Sequence, residues 1–245
     1  MRALLAVGVL LCTLPAQAKC AMPSPYVLPR PGTPLPPNPT LYLFVPPDSK
    51  NATAFAEVMR AVTESGTELP LTVRAVKGGA ELQVFRLQLV AAAGVRFRLT
   101  PVLEKEATWS VEPGVVFPPD FEVTRGKDLF RSWNCSYESS RVLDTSLEAP
   151  AYRVDFAGTQ AGLLAGKGES VIVEGDAGGF RWGDARPAPL RAVRLGHHDC
   201  WGSNLTWEKS TALVVRVTAL LPDGSERKSD KLFVLDPPRP WGSKE

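Results

Sequence analysis

The stretch Leu82-Gln83-Val84-Phe85-Arg86-Leu87-Gln88-Leu89-Val90 decides the fold class. Leu82 and Val84 stand opposite Gln83, and then Phe85, Leu87 and Leu89 stand opposite Arg86 and Gln88. Successive side chains of a strand point to opposite faces, so period-two apolar residues mark a sheet with one dry face and one wet face. The change of phase between Val84 and Phe85 predicts a bulge or a bend.

The neighbouring segments repeat the theme. Leu71, Val73 and Ala75 alternate with Thr72 and Arg74, and Val95, Phe97 and Leu99 alternate with Arg96, Arg98 and Thr100. Upstream, Leu41-Tyr42-Leu43-Phe44-Val45 is a continuous apolar run closed by Pro46-Pro47, as expected of a buried first strand. Residues 52–62 are mixed. Ala52, Phe55, Ala56, Met59 and Val62 fall near helical spacing, whereas Val58, Ala61 and Val62 lead into Glu64-Ser65-Gly66 like a strand and its turn. In these surroundings the expectation is a strand.

Pro113-Gly114, Pro118-Pro119-Asp120 and Arg125-Gly126-Lys127 punctuate the chain before the pattern resumes. Tyr152, Val154 and Phe156 alternate with Arg153 and Asp155, and short β-prone runs follow at 170–174, 179–182 and 190–195. The clearest hairpin joins Thr211–Leu221 to Lys231–Leu235 through Pro222-Asp223-Gly224-Ser225, since Asp-Gly favours tight turns. Short strands with a turn every eight to twelve residues point to sandwiches, not to alternating βα units.

The first eighteen residues read as a secretory signal. Arg2 supplies the positive charge, Ala3–Leu14 the apolar run, and Ala16-Gln17-Ala18 the small-x-small cleavage site. A helix of that run rises only about 18 Å, too little for a hydrocarbon core about 30 Å thick. The expectation is a secreted or periplasmic chain with no transmembrane segment. Lipid anchoring at Cys20 is the alternative, opposed by Lys19 at the position where such signals carry a small residue. Residues 19–39 are rich in proline and read as an extended arm, and 237–245 as a Pro-rich tail.

An apolar fraction of 44% suffices for a core, which excludes wholesale disorder. Net charge is +2, with Lys and Arg dispersed among Asp and Glu. A nucleic-acid partner calls for a basic stripe, so none is expected. Three cysteines survive cleavage, Cys20, Cys135 and Cys200. In an oxidising compartment Cys135 and Cys200 are expected to pair, because both lie in strand-like sequence of the same half.

The layout resembles bacterial immunoglobulin-like and fibronectin-type-III-like domains of secreted proteins. The resemblance rests on Pro36–Phe44, Val62–Gly66 and Leu71–Val73, then on Ala151–Val154 and the final hairpin. A single isoleucine, Ile172, fits a GC-rich bacterial genome, in which the sequons at Asn51, Asn134 and Asn204 would be chance. The resemblance implies an all-β chain of two tandem immunoglobulin-like β-sandwich domains, residues 40–117 and 118–236. Such domains act as spacers, adhesins or binding modules. The implied role is a noncatalytic one toward a protein or glycan of the envelope, with no cofactor.

Candidate chemistry is sparse. His197, His198 and Asp199 beside Cys200 carry metal-ligating groups. Adjacent strand positions face opposite ways, so a solvated turn or strand end is the plainer expectation. Trp182, Trp201 and Trp207 could stack on a sugar, against the plainer expectation that they fill a core. A hydrolase with carboxylates meeting in a cleft is the third alternative, since such pairs meet in space and leave no sequence motif.

Overall fold

The computed structural model describes residues 25–46, 52–76, 82–101, 107–133, 136–157, 170–174, 191–198 and 212–237. Among the described residues the chain is all-β apart from one short helix. Its elements run β1 (Tyr26–Leu28), β2 (Pro34–Leu35), β3 (Thr40–Val45), α1 (Ala52–Glu57), β4 (Arg60–Thr63), β5 (Glu68–Leu69), β6 (Leu71–Val76), β7 (Gln83–Leu89), β8 (Arg96–Thr100) and β9 (Trp109–Val111). There follow β10 (Val123–Arg125), β11 (Leu129–Trp133), β12 (Ser136–Thr145), β13 (Ala151–Phe156), β14 (Ser170–Glu174), β15 (Ala192–His198), β16 (Leu213–Leu220), β17 (Glu226–Lys228) and β18 (Phe233–Leu235).

The first nine strands form two facing sheets. One has the order β1-β3-β7-β6, the other β2-β9-β8-β4-β5, and only β2 and β9 pair in parallel. Leu41, Leu43, Phe85, Leu87 and Leu89 of the first sheet meet Leu35, Ala61, Phe97, Leu99 and Val111 of the second in one buried core. Trp109 sits in that core, its ring stacked on Phe97 at 5.8 Å. Its indole N–H, which would be costly to bury unpaired, donates to the Pro29 carbonyl at 2.8 Å.

The later strands form a second pair of sheets. β12 is flanked by β10 and β11 on one side and β15 on the other, and the facing sheet runs β14-β13-β16-β17, with β18 also on β16. Leu143, Val193 and Leu195 pack against Tyr152, Val154, Val215 and Val217 between them. The Tyr152 hydroxyl is buried there and donates to Leu147 O at 2.7 Å.

Four expectations change. The phase shift at Val84-Phe85 is no bulge, because β7 pairs with β3 in unbroken register from Thr40↔Gln88 to Val45↔Gln83. Both residues are buried because the sheet is covered on both faces, Phe85 entering the sandwich core and Val84 a separate cluster on the outside. The continuous run at β3 has the same cause, and all six of its residues are buried. Residues 52–57 are helical, not strand, with Ala52 and Ala56 one turn apart turned into the core, and the strand starts only at Arg60. The proline-rich stretch contributes β1 and β2, with Val27 and Leu35 buried in the first core. The final hairpin turns at Asp223-Gly224, Gly224 taking φ +80°, and its return strand begins at Glu226, ahead of Lys231.

Candidate functional site

The cluster on the outside of β3 and β7 joins the two sandwiches. Leu28, Tyr42, Phe44, Leu82 and Val84 from the first half pack on Ala151, Ile172 and Leu220 from the second. The register explains the grouping. Tyr26, Phe44, Val84 and Val76 stand in one row across the sheet, and Leu28, Tyr42, Arg86 and Arg74 in the next. These rows face away from the sandwich core, so they are free to accept the outer face of β13, β14 and β16. Phe44 is fully buried there and stacks on Tyr26 at 5.3 Å.

A polar rim closes this seam. The tip of the final hairpin reaches the first half, where Thr40 N–H donates to Pro222 O at 2.6 Å and Arg86 Nη2 to Gly224 O at 3.3 Å. Asp223 fixes the tip, its Oδ1 accepting the Ser225 N–H at 2.8 Å. Arg153 pairs with Asp155 at 3.1 Å and with Glu226 at 3.0 Å. Both ion pairs are about one-third exposed or more, so each contributes little to stability. Burial pushes the Tyr42 hydroxyl up to about 12, opposed by Arg86 and Arg153 and aided by Glu226. The group stays a neutral phenol at ordinary pH. Arg86 Nε and Thr218 Oγ1 are buried without a hydrogen-bond partner. A joint made of a neutral phenol, a packed aromatic row and paired arginines orients two bodies.

Elsewhere in the second half, Arg141 ties down the end of the described chain. Its Nε donates to Asp236 O at 2.8 Å, Nη2 to Pro237 O, and Nη1 to Asp128. The stretch read as a tail thus begins fastened to β12.

The candidates from the sequence mostly lie outside the described residues. That holds for Cys20, Cys135, Cys200, Trp182, Trp201, Trp207 and Asp199, and for the sequon residues Asn51, Asn134 and Asn204. His197 and His198 are the last two positions of β15, paired in register with Ser139 and Glu138. Their side chains also lie outside the described set. Among the described residues, no group of three or more His, Cys, Asp or Glu is placed to hold a metal ion, and no helix is long and apolar enough to cross a membrane.

Sequence reasoning missed the seam residues Tyr42, Phe44, Val84 and Arg86. Their signal was present, since an unbroken apolar run and a phase shift both report burial on two faces.

No family model matches the chain, and no curated protein does. Among solved structures it is similar to a pullulanase complexed with maltotriose from Anoxybacillus sp. LM18-11, at 10% identity and a TM-score of 0.24. That match covers 79% of this chain and 24% of the other. A pullulanase type I from Bacillus subtilis str. 168 complexed with maltose follows at 9% identity and a TM-score of 0.23, covering 79% and 23%. The chain therefore spans about a quarter of the length of the pullulanase chains it matches. Likenesses at these TM-scores carry no argument about fold or function.

Proposed function

We propose that this chain is an exported, noncatalytic protein of two tandem immunoglobulin-like sandwiches that serves as an envelope or extracellular spacer and protein-binding module. The observation that carries the reading is the seam. Phe44, Val84 and Leu28 are buried between the sandwiches, and large apolar side chains fully buried each stabilise by about 1.5–3 kcal/mol. A spacer needs this, because only a fixed joint converts two domains into a defined distance. Flexibly linked domains reorient by default unless their interface is apolar and sizeable.

Strand order supports the immunoglobulin-like part. With letters A to G in chain order, the first half pairs an ABED sheet with one containing C, F and G, and its early strand β2 runs parallel to β9. The second half pairs an ABE-type sheet, β11-β12-β15, with a C′CFG-type sheet, β14-β13-β16-β17.

NMR relaxation of the chain from residue 19 onward tests the reading, together with a polysaccharide and peptide hydrolysis screen. A spacer gives one rotational correlation time for both halves and no turnover. Independent tumbling overturns the spacer, and measurable hydrolysis overturns the noncatalytic assignment.

A further inference from the structure

The first sandwich ends in an open strand, β6, which hydrogen-bonds to β7 on one side and to no strand on the other among the described residues. We propose that β6 is a self-association edge, at which a second copy of this chain adds its own β6 in antiparallel register centred on Val73. The inference goes beyond the spacer reading and does not depend on the seam.

The ladder fixes which backbone groups are available. Val90 N–H donates to Pro70 O at 3.0 Å, so Pro70 and Val90 form a hydrogen-bonded pair one step beyond Leu71↔Leu89. Hydrogen-bonded and non-hydrogen-bonded pairs alternate along an antiparallel ladder. Thr72, Arg74 and Val76 therefore direct their N–H and C=O groups at β7, while Leu71, Val73 and Ala75 direct theirs outward.

A two-fold axis can pair only outward groups with outward groups, so it must pass through a residue position, not between two. Centring on Val73 pairs Leu71 with Ala75 of the second copy, Val73 with Val73, and Ala75 with Leu71. Each such pair exchanges two bonds, giving about six. Centring on Thr72, Arg74 or Ala75 leaves fewer outward pairs within the strand. Centring on Arg74 also sets two guanidinium groups directly opposite, which is destabilising. A charge in mid-edge ordinarily protects a strand from pairing. In the Val73 register Arg74 faces the neutral Thr72 of the other copy, and that protection is bypassed.

The side chains agree with the backbone. Leu71 and Val73 are half-buried on the rim of the first core, and Ala75 on the same face is exposed. Beside them α1 lies against β6 and is followed by Val58, which is 55% exposed. The two-fold joins two such rims into one apolar strip and two four-stranded sheets into one of eight.

Sedimentation velocity of the chain from residue 19 onward, over a series reaching high micromolar concentration, tests this. Wild type forms a dimer, and Val73→Pro weakens it by at least about tenfold, because proline removes an outward N–H and none of the β7 ladder. Unchanged circular dichroism and melting temperature show that the variant is folded. If Val73→Pro fails to fold, Val73→Lys, which sets two ammonium groups face to face, replaces it with the same expectation. Register is read by disulfide trapping. Thr72 and Arg74 of opposite copies form a non-hydrogen-bonded pair with Cα atoms about 4.5 Å apart, within disulfide reach. An equimolar mixture of Thr72→Cys and Arg74→Cys chains crosslinks to a mixed dimer that neither chain gives alone. A chain that stays monomeric throughout the series overturns the proposal, as does a dimer indifferent to both Val73 variants or a crosslink in the unmixed chains.

Discussion

Replacing Phe44 with alanine removes the side chain at the centre of the seam without touching either sandwich core. Phe44 is 0% exposed and stacked on Tyr26. Deleting a buried phenyl ring costs about 3–5 kcal/mol, of which the aromatic pair supplies about 0.5–1.5. That is a large share of the 5–15 kcal/mol typical of a domain. Part of the cost falls within the first half, on Tyr26, and the rest on the cluster shared with Ala151, Ile172 and Leu220, so the coupling between halves weakens before either half unfolds. Calorimetry and urea titration should show one transition for wild type and two for Phe44→Ala, with native circular dichroism retained in buffer. Phe85→Ala is the control. Phe85 lies on the neighbouring strand β7, opposite Leu43, and its ring enters the first sandwich core. A comparable cost there should lower the stability of the first half and leave the joint between halves intact. A single transition in Phe44→Ala, shifted by less than about 1 kcal/mol, would refute the reasoning, since a loss that small contradicts the cost of a large buried deletion.

Three further outcomes follow from particular side chains. Tyr152→Phe removes the acceptor of the Ala149 N–H at 3.2 Å and leaves the Leu147 carbonyl with Thr145 Oγ1 alone at 3.0 Å, and should cost about 1–3 kcal/mol in urea unfolding. A change under about 0.5 kcal/mol would show those bonds to be replaceable. Tyr42 holds its proton more tightly folded than unfolded, so its stabilisation is complete below about pH 10 and is lost as pH rises toward about 12. The difference between wild type and Tyr42→Phe across that window should be on the order of 2–3 kcal/mol, and parallel pH profiles of the two would contradict it. Gly224→Ala forces a methyl into φ +80°, with its Cβ 3.2 Å from Arg86 Nη2 and 3.3 Å from Thr40 Oγ1. It should destabilise by about 1–2 kcal/mol, read as a lower urea midpoint, and a neutral result would mean the hairpin tip is free to shift.

Much of this architecture was legible before any coordinates. Alternation at Leu71–Val76, Arg96–Thr100 and Ala151–Phe156 reports half-buried strands, and Asp223-Gly224 reports its own turn, because each signal is local. What one strand cannot report is what lies on its second face. Val84 and Phe85 are both buried for different reasons, one facing a neighbouring sandwich and one its own, and a single strand read alone turns that into a bulge. The six-residue helix at Ala52 was hidden because its short Ala-rich run met β-prone residues immediately after Glu57. The proline-rich stretch concealed β1 and β2, since Tyr26–Leu28 and Pro34–Leu35 are too short to show a period. The seam was least legible of all. Its two sides lie far apart in the sequence, and only the topology brings Phe44 to Leu220.

That separation has a consequence for biosynthesis. Leu28, Tyr42, Phe44, Leu82 and Val84 are made early, while Ala151, Ile172 and Leu220 come late. At about 5–20 residues per second, roughly 7 to 27 seconds pass between Val84 and Leu220 leaving the ribosome. For that interval the first sandwich is a finished body with a greasy flank. A chaperone that recognises aromatic and aliphatic rows has a defined window in which to hold it, and the window closes when the last hairpin docks.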